Sequence, residues 1–292
     1  MSKGLLDPKV DFVFKNIFGS PNHPEILISF LNATLKAKKK IVNVDIKKTD
    51  IEKQYIEDKY SRLDVKATTS NDEIINIEIQ LKNENNMVKR SLYYLSKMYE
   101  EQLNEKEDYS KLVRTVCINI LNFKYLKTDN FHTGYRFKEI ESNEELTDIM
   151  EVHFIEIPKL QDSSDEKDML VAWTEFLKDP ESEKVRGLEL SIEEIRQAKD
   201  ELIRMSNDST QRELYDMRAN SLRDKMSELN AAERKGIEKG REEGREEGRE
   251  EGIEEGRKEE KIEIARNMKL SGLDTNTIAK ITNLSEDEID KL

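Results

Sequence analysis

The chain is poor in the residues that staple small folds or build metal centres. It holds one cysteine, Cys117, so no intrachain disulfide can form. That cysteine lies in the apolar run Val113 to Leu121, a setting that predicts a buried core thiol and not a nucleophile. The three histidines, His23, His132 and His153, are scattered without an H-x-x-x-H pair or a cysteine partner, which argues against structural zinc. No G-x-S-x-G elbow is present, and no glycine-rich phosphate loop of either common type. No apolar run approaches a membrane span and the N-terminus lacks a signal-like apolar region, so a cytoplasmic chain with no membrane partner is expected. Net positive charge is lacking too. The formal charge is −13, so a polyanionic ligand would have to meet local basic patches, since phosphate contacts supply most nucleic-acid affinity. Lys36 to Lys40, and Lys82 with Lys89 and Arg90, are the candidates.

What is present is concentrated between Ser61 and Leu81. Arg62 to Ala67 leads in as a strand, Thr68 to Asp72 turns, and Glu73 to Gln80 leads out. Because strand side chains alternate, Asp64 and Lys66 share one face, as do Glu78 and Gln80, while Ile75, Ile77 and Ile79 mark the opposite face as buried. Two carboxylates and an amide on a common wall are what a hard divalent ion asks of a protein. An ordinary hairpin with a solvated polar face has the same alternation, and spacing alone leaves both readings open.

Elsewhere the periodicity is coarser. Residues 7 to 35 read as two helices broken at Gly19-Ser20-Pro21, the first carrying Val10, Phe14 and Ile17 or Phe18, the second Ile26, Leu27, Phe30 and Leu31. Asn86 to Leu103 reads as an amphipathic helix with Met87, Leu92, Leu95, Met98 and Leu103 inward. Val113 to Phe123 reads as a buried central strand, and Tyr135 to Ile140 and Val152 to Ile157 as further strands. The order predicts an α/β fold, a mixed central sheet flanked by helices, over residues 1–160. A long helical C-terminal extension follows: a helical part over 161–235, a charged segment over 236–260, and a small helical module over 261–292.

Six of the eleven glycines recur every fourth residue from Gly236 to Gly256. Interior glycine costs a helix about 1 kcal/mol relative to alanine, and pairs such as Glu242–Arg245 recover only a few tenths each, roughly. A partly helical tether able to pair with a second copy is expected. In the last module Asp274 is a candidate N-cap, and Ser285 with Glu288 a candidate capping box. The pattern is compatible with a helix-turn-helix reader of DNA or with a packing and dimerisation module. Trp173 and the Tyr93-Tyr94 pair are read as packing residues.

Asp64, thirteen intervening residues and then Glu78-Ile79-Gln80 resemble the catalytic pattern of the PD-(D/E)XK nucleases. More narrowly, Asp7 to Gly19, the Arg62-to-Lys66 strand, Ile75 to Gln80 and Arg90-Ser91-Leu92-Tyr93-Tyr94 resemble the Rpn family of recombination-promoting nucleases and putative transposases. The likeness runs over about the first half of the chain and returns at the C-terminus. One departure is Gln80, which stands where the superfamily usually has lysine; the resemblance implies that glutamine is common there in this family.

The resemblance implies a restriction-endonuclease-like core and a metal-dependent DNA endonuclease linked to recombination or mobile elements. Magnesium would be the cofactor, with manganese or calcium as possible substitutes. Asp64, Glu78 and Gln80 would be catalytic: Asp64 and Glu78 would ligate the ion with the carbonyl of Ile79, and Gln80 would position water or a phosphate oxygen. Asp11, Lys66, Arg90 and Tyr94 are the candidate substrate contacts. DNA and a second copy, joined through the C-terminal helices, are the expected partners. Two alternatives stand beside this reading: a non-catalytic assembly protein built on a nuclease-like core, and a nuclease acting on RNA.

Overall fold

The computed structural model describes residues 4–36, 39–47, 65–165 and 167–292. In chain order, helices α1 (Asp11–Phe18) and α2 (Pro24–Leu35) precede strands β1 (Val44–Lys47), β2 (Val65–Thr69) and β3 (Ile74–Gln80). Helix α3 (Met87–Glu100) leads to β4 (Thr115–Leu121), β5 (His132–Lys138) and β6 (Glu145–Glu156). Helices α4 (Met169–Lys178), α5 (Glu183–Ser191), α6 (Glu193–Asn207), α7 (Ser209–Leu270), α8 (Thr275–Thr282) and α9 (Glu286–Asp290) complete it.

The strands form one mixed sheet in the order β1-β2-β3-β4-β6-β5. The β1–β2, β2–β3 and β5–β6 pairs are antiparallel, and the central β3–β4 and β4–β6 pairs are parallel. Parallel neighbours need a crossover, and α3 supplies the one between β3 and β4. Both faces of the sheet are covered, as parallel strands require. On one face Ile75, Ile77, Ile79, Val116, Ile118 and Ile120 join the large core with α1, α2, α4, α5 and α6. On the other, Cys117, Leu121, Val152 and Phe154 meet Met87 and Leu95 of α3. Trp173 is fully buried, edge-on to Phe18 and Phe176, and Cys117 is buried with its thiol pushed up to about 12, so it is chemically quiet.

Several elements depart from the sequence reading. Strand β1 was not expected; four residues with alternating charge carry too little pattern to be distinguished from loop. β5 begins at His132, and Ile140 is 93% exposed beyond its end. Leu92 is 49% exposed, because the inward stripe of α3 runs through Met87, Ser91, Tyr94, Leu95 and Met98 instead. Residue 160 is not where the packing divides. Leu170, Trp173, Val185, Leu188, Ile195 and Leu202 all enter the large core, and the chain separates into units of residues 1–222 and 223–292.

In the second unit the glycine-bearing segment lies wholly inside α7, more regular than a partly helical tether. Glu246 and Arg249 pair at 2.6 Å and Lys239 and Glu243 at 3.5 Å, offsetting part of the glycine cost. Nothing stands within 4 Å of where a Cβ would sit on any of the six glycines, so no contact within the described chain demands them. At the end of this unit Ala265, Ile278, Leu284 and Ile289 form a small core. Asp274 accepts from the Thr277 backbone, and Ser285 and Glu288 close a capping box.

Candidate active site

The β2–β3 hairpin pairs Lys66 with Asn76 and Val65 with Ile77. Ile77 faces the large core, so Asn76 and Glu78 point the other way, under α3, with Gln80 half-buried at the strand end. On the parallel neighbour β4, Asn119 is in register with Glu78. Asn76, Glu78 and Asn119 are all fully buried, a polar seam in an otherwise apolar helix–sheet interface.

Glu78 is the centre of the seam. Its Oε2 accepts from Nε of Arg90 at 3.2 Å, while Oε1 is buried with no hydrogen-bond partner among the described residues. Burial pushes the Glu78 carboxyl above the usual range; the Arg90 charge, the Arg90 hydrogen bond and the Asn76 amide pull it back only in part. Arg90 experiences the converse: burial lowers its pKa, but Glu78 outweighs this and the guanidinium is held firmly charged. Its Cζ lies 5.0 Å from the ring centroid of Tyr94, one helical turn on. The Asn76 Oδ1 is a second buried oxygen without a partner among the described residues. Ser91 of α3 donates to Asn119 Oδ1 at 2.9 Å, and Asn119 donates to the His153 carbonyl at 3.1 Å.

The sequence candidates are distributed unevenly over this geometry. Glu78, Gln80 and Lys66 fall on the α3 side of the hairpin. Lys66 is half-buried and 3.9 Å from Glu101; burial pulls its ammonium down, against the raising effect of Glu101. Tyr94 is 2% exposed, its ring lying inside the helix–sheet interface beneath the Arg90 guanidinium. Asp11 is not brought to the seam. It lies on α1, which packs on the opposite face of the sheet, and it pairs with Arg218 at 3.1 Å. Asp64 lies outside the described residues. Lys82 and Lys89 flank the seam in the chain, after β3 and in the first turn of α3. Lys36, from the other basic run, pairs with Asp168 at 3.2 Å.

Sequence reasoning missed Asn76, Ser91 and Asn119. Asn76 had a readable signal, the same alternation that singled out Glu78 and Gln80. Asn119 had none, being one polar residue in a buried run. A buried carboxylate oxygen without a donor fits a hard cation, and so does the oxygen-rich character of the seam. Among the described residues, however, no group of three or more acidic, histidine or cysteine side chains gathers into a complete metal site.

The decisive comparison is with the PD-(D/E)XK nuclease family transposases, whose model matches residues 8–232. The chain belongs to that family. Residues 258–292 match the C-terminal helix-turn-helix domain of the Rpn/YhgA-like nuclease family, so the small core around Ala265 and Ile278 is that domain. No curated protein and no solved structure matches the chain. Family membership supports a nuclease that uses a divalent metal ion, and the two matched parts together support DNA as a partner. Among the described residues no helix is long and apolar enough to cross a membrane.

Proposed function

We propose that this chain is a magnesium-dependent endodeoxyribonuclease that hydrolyses phosphodiester bonds in double-stranded DNA, in the service of recombination or mobile-element biology. The observation that carries the reading is the buried Glu78 carboxylate, whose Oε2 is met by Arg90 while its Oε1 makes no hydrogen bond among the described residues. A protein that used this core only for assembly would gain by filling the seam with apolar side chains, since a charge removed from water is costly unless fully paired.

In this reading Glu78, Asp64 and the backbone carbonyl of Ile79 hold the ion. Asp64 immediately precedes Val65, whose partner Ile77 immediately precedes Glu78. When bound, a magnesium ion lowers the pKa of a coordinated water and stabilises charge on a phosphoryl group. Manganese or calcium are its candidate substitutes. Gln80, at the half-buried end of β3, orients the attacking water or a phosphate oxygen through its amide. Lys66, Lys82 and Lys89 supply positive charge to the DNA backbone, which the acidic chain as a whole does not. The C-terminal helices join two copies into a dimer, and the enzyme works in the cytoplasm.

The test is nicking of supercoiled plasmid by the full chain with Mg²⁺, with EDTA, and with Asp64→Ala or Glu78→Ala. Metal-dependent nicking lost in both variants supports the reading. Absence of nicking with Mg²⁺ and Mn²⁺ on several DNA forms, together with cleavage of RNA, would replace the substrate; no cleavage of either would favour the assembly role.

A further inference from the structure

The two oxygens of Glu78 are treated differently. Oε2 accepts from Arg90 Nε at 3.2 Å, whereas Oε1 is sealed in the same interface with no partner among the described residues. Buried carboxylates ordinarily gather donors on both oxygens, because an unmet lone pair gives up water without replacement. The cation on Oε2 is itself fixed. Arg90 lies in the first turn of α3, its guanidinium over the buried Tyr94 ring. The helix is pinned to the sheet by Met87 and Leu95 and by the Ser91–Asn119 hydrogen bond. An arginine held in this way is poorly placed to reach a nucleic-acid strand and well placed to lock the rotamer of its carboxylate partner.

We propose that Arg90 is a positioning residue, holding Glu78 by Oε2 so that Oε1 is the oxygen presented to the divalent ion, with Tyr94 as the platform that holds Arg90. This rests on the metal-binding reading of Glu78 given above. Arginine suits the task where lysine would not: its planar, delocalised group donates along a fixed direction and stacks on an aromatic face at the same time. The role differs from contact with the scissile strand, which would act on DNA affinity and leave metal affinity alone.

The experiment is Mn²⁺ titration of the full chain, followed by the electron paramagnetic resonance signal of the free ion, for wild type, Glu78→Gln, Arg90→Gln and Arg90→Lys. Circular dichroism melts identify any variant that fails to fold. Arg90→Gln is expected to weaken Mn²⁺ binding by about ten-fold or more, the usual effect of removing a group that orients a metal ligand. Its kcat for plasmid nicking should fall with KM for DNA unchanged. Arg90→Lys keeps the charge and the stem, so it keeps the fold if Arg90→Gln does not, and it should show a smaller loss in the same direction. Unchanged Mn²⁺ affinity in the folded Arg90 variants, with binding lost in Glu78→Gln, would overturn the positioning role alone. Tighter Mn²⁺ binding would also overturn it, by showing that Arg90 competes with the ion. Wild type that binds Mn²⁺ no better than Glu78→Gln would overturn the metal reading, and this proposal with it.

Discussion

Ser91 and Asn119 meet across the α3–sheet interface at 2.9 Å, both almost wholly buried, one residue along the chain from Arg90 and in register with Glu78 respectively. The hydrogen bond fixes the height of α3 over β4, and thereby where the Arg90 guanidinium stands relative to the carboxylate. Asn119→Ala leaves the Ser91 hydroxyl without this partner and removes the donor to the His153 carbonyl. A loss of about 1–3 kcal/mol in urea unfolding is expected. Ser91→Ala should cost less: it deletes only a hydroxyl, which is shared between the Met87 carbonyl at 2.7 Å and Asn119, and it leaves the Asn119 bond to the His153 carbonyl in place.

Glu78 gives a pH signature with a definite sign. Its folded pKa is raised above the usual 4.5, so the folded state binds the proton more tightly than the unfolded state, and its contribution to stability falls as pH rises through the window above 4.5. Glu78→Gln lacks that loss. The difference in Tm between Glu78→Gln and wild type should therefore shift in favour of the variant as pH is raised from about 4.5 towards neutrality. Added Mg²⁺ should raise the Tm of wild type alone, because a ligand stabilises only the fold that binds it.

Acid sensitivity should arise at the other end of the sheet. His132 is lowered from 6.5 to about 4, first by burial and then by His153 and Lys36, so stability is lost as pH falls from about 6.5 through 4. Glu151 follows: burial raises its pKa, but hydrogen bonds from His153, Arg114 and Arg136 outweigh that and bring it from 4.5 to about 2. Its contribution is present above 4.5 and lost towards pH 2. Thermal melts of wild type and His132→Gln across this range are expected to differ in slope between about pH 6.5 and 4 and to run parallel above it.

The glycines of α7 separate helix stability from pairing. Alanine at Gly240, Gly244 and Gly248 meets no neighbouring atom and should stabilise the helix by about 1 kcal/mol per site. If a second copy approaches along these glycines, the same triple variant should dissociate more readily. Circular dichroism melts and sedimentation read the two effects independently. A dimer that survives the substitutions would locate the contact elsewhere in the C-terminal helices.

Much of this was legible in the linear order of residues. Alternation of Ile75, Ile77 and Ile79 with Glu78 and Gln80 reports a two-faced strand, because the period of side-chain direction in a strand is two and burial selects on it. Local capping at Asp274 and Ser285 was readable for a similar reason, since each cap involves atoms only two or three residues apart. What the sequence could not express is which distant residues share a buried space. Arg90 reaches Glu78, Asn119 meets Ser91, and Asp11 turns to Arg218 on the far side of the sheet only because the strand order β2-β3-β4 and the crossover of α3 bring some of these together and hold others apart. Composition and spacing determined the two-faced pattern of β3 and its chemistry by themselves; the partners that satisfy or abandon each buried charge were decided by the tertiary structure, where desolvation makes every such pairing count.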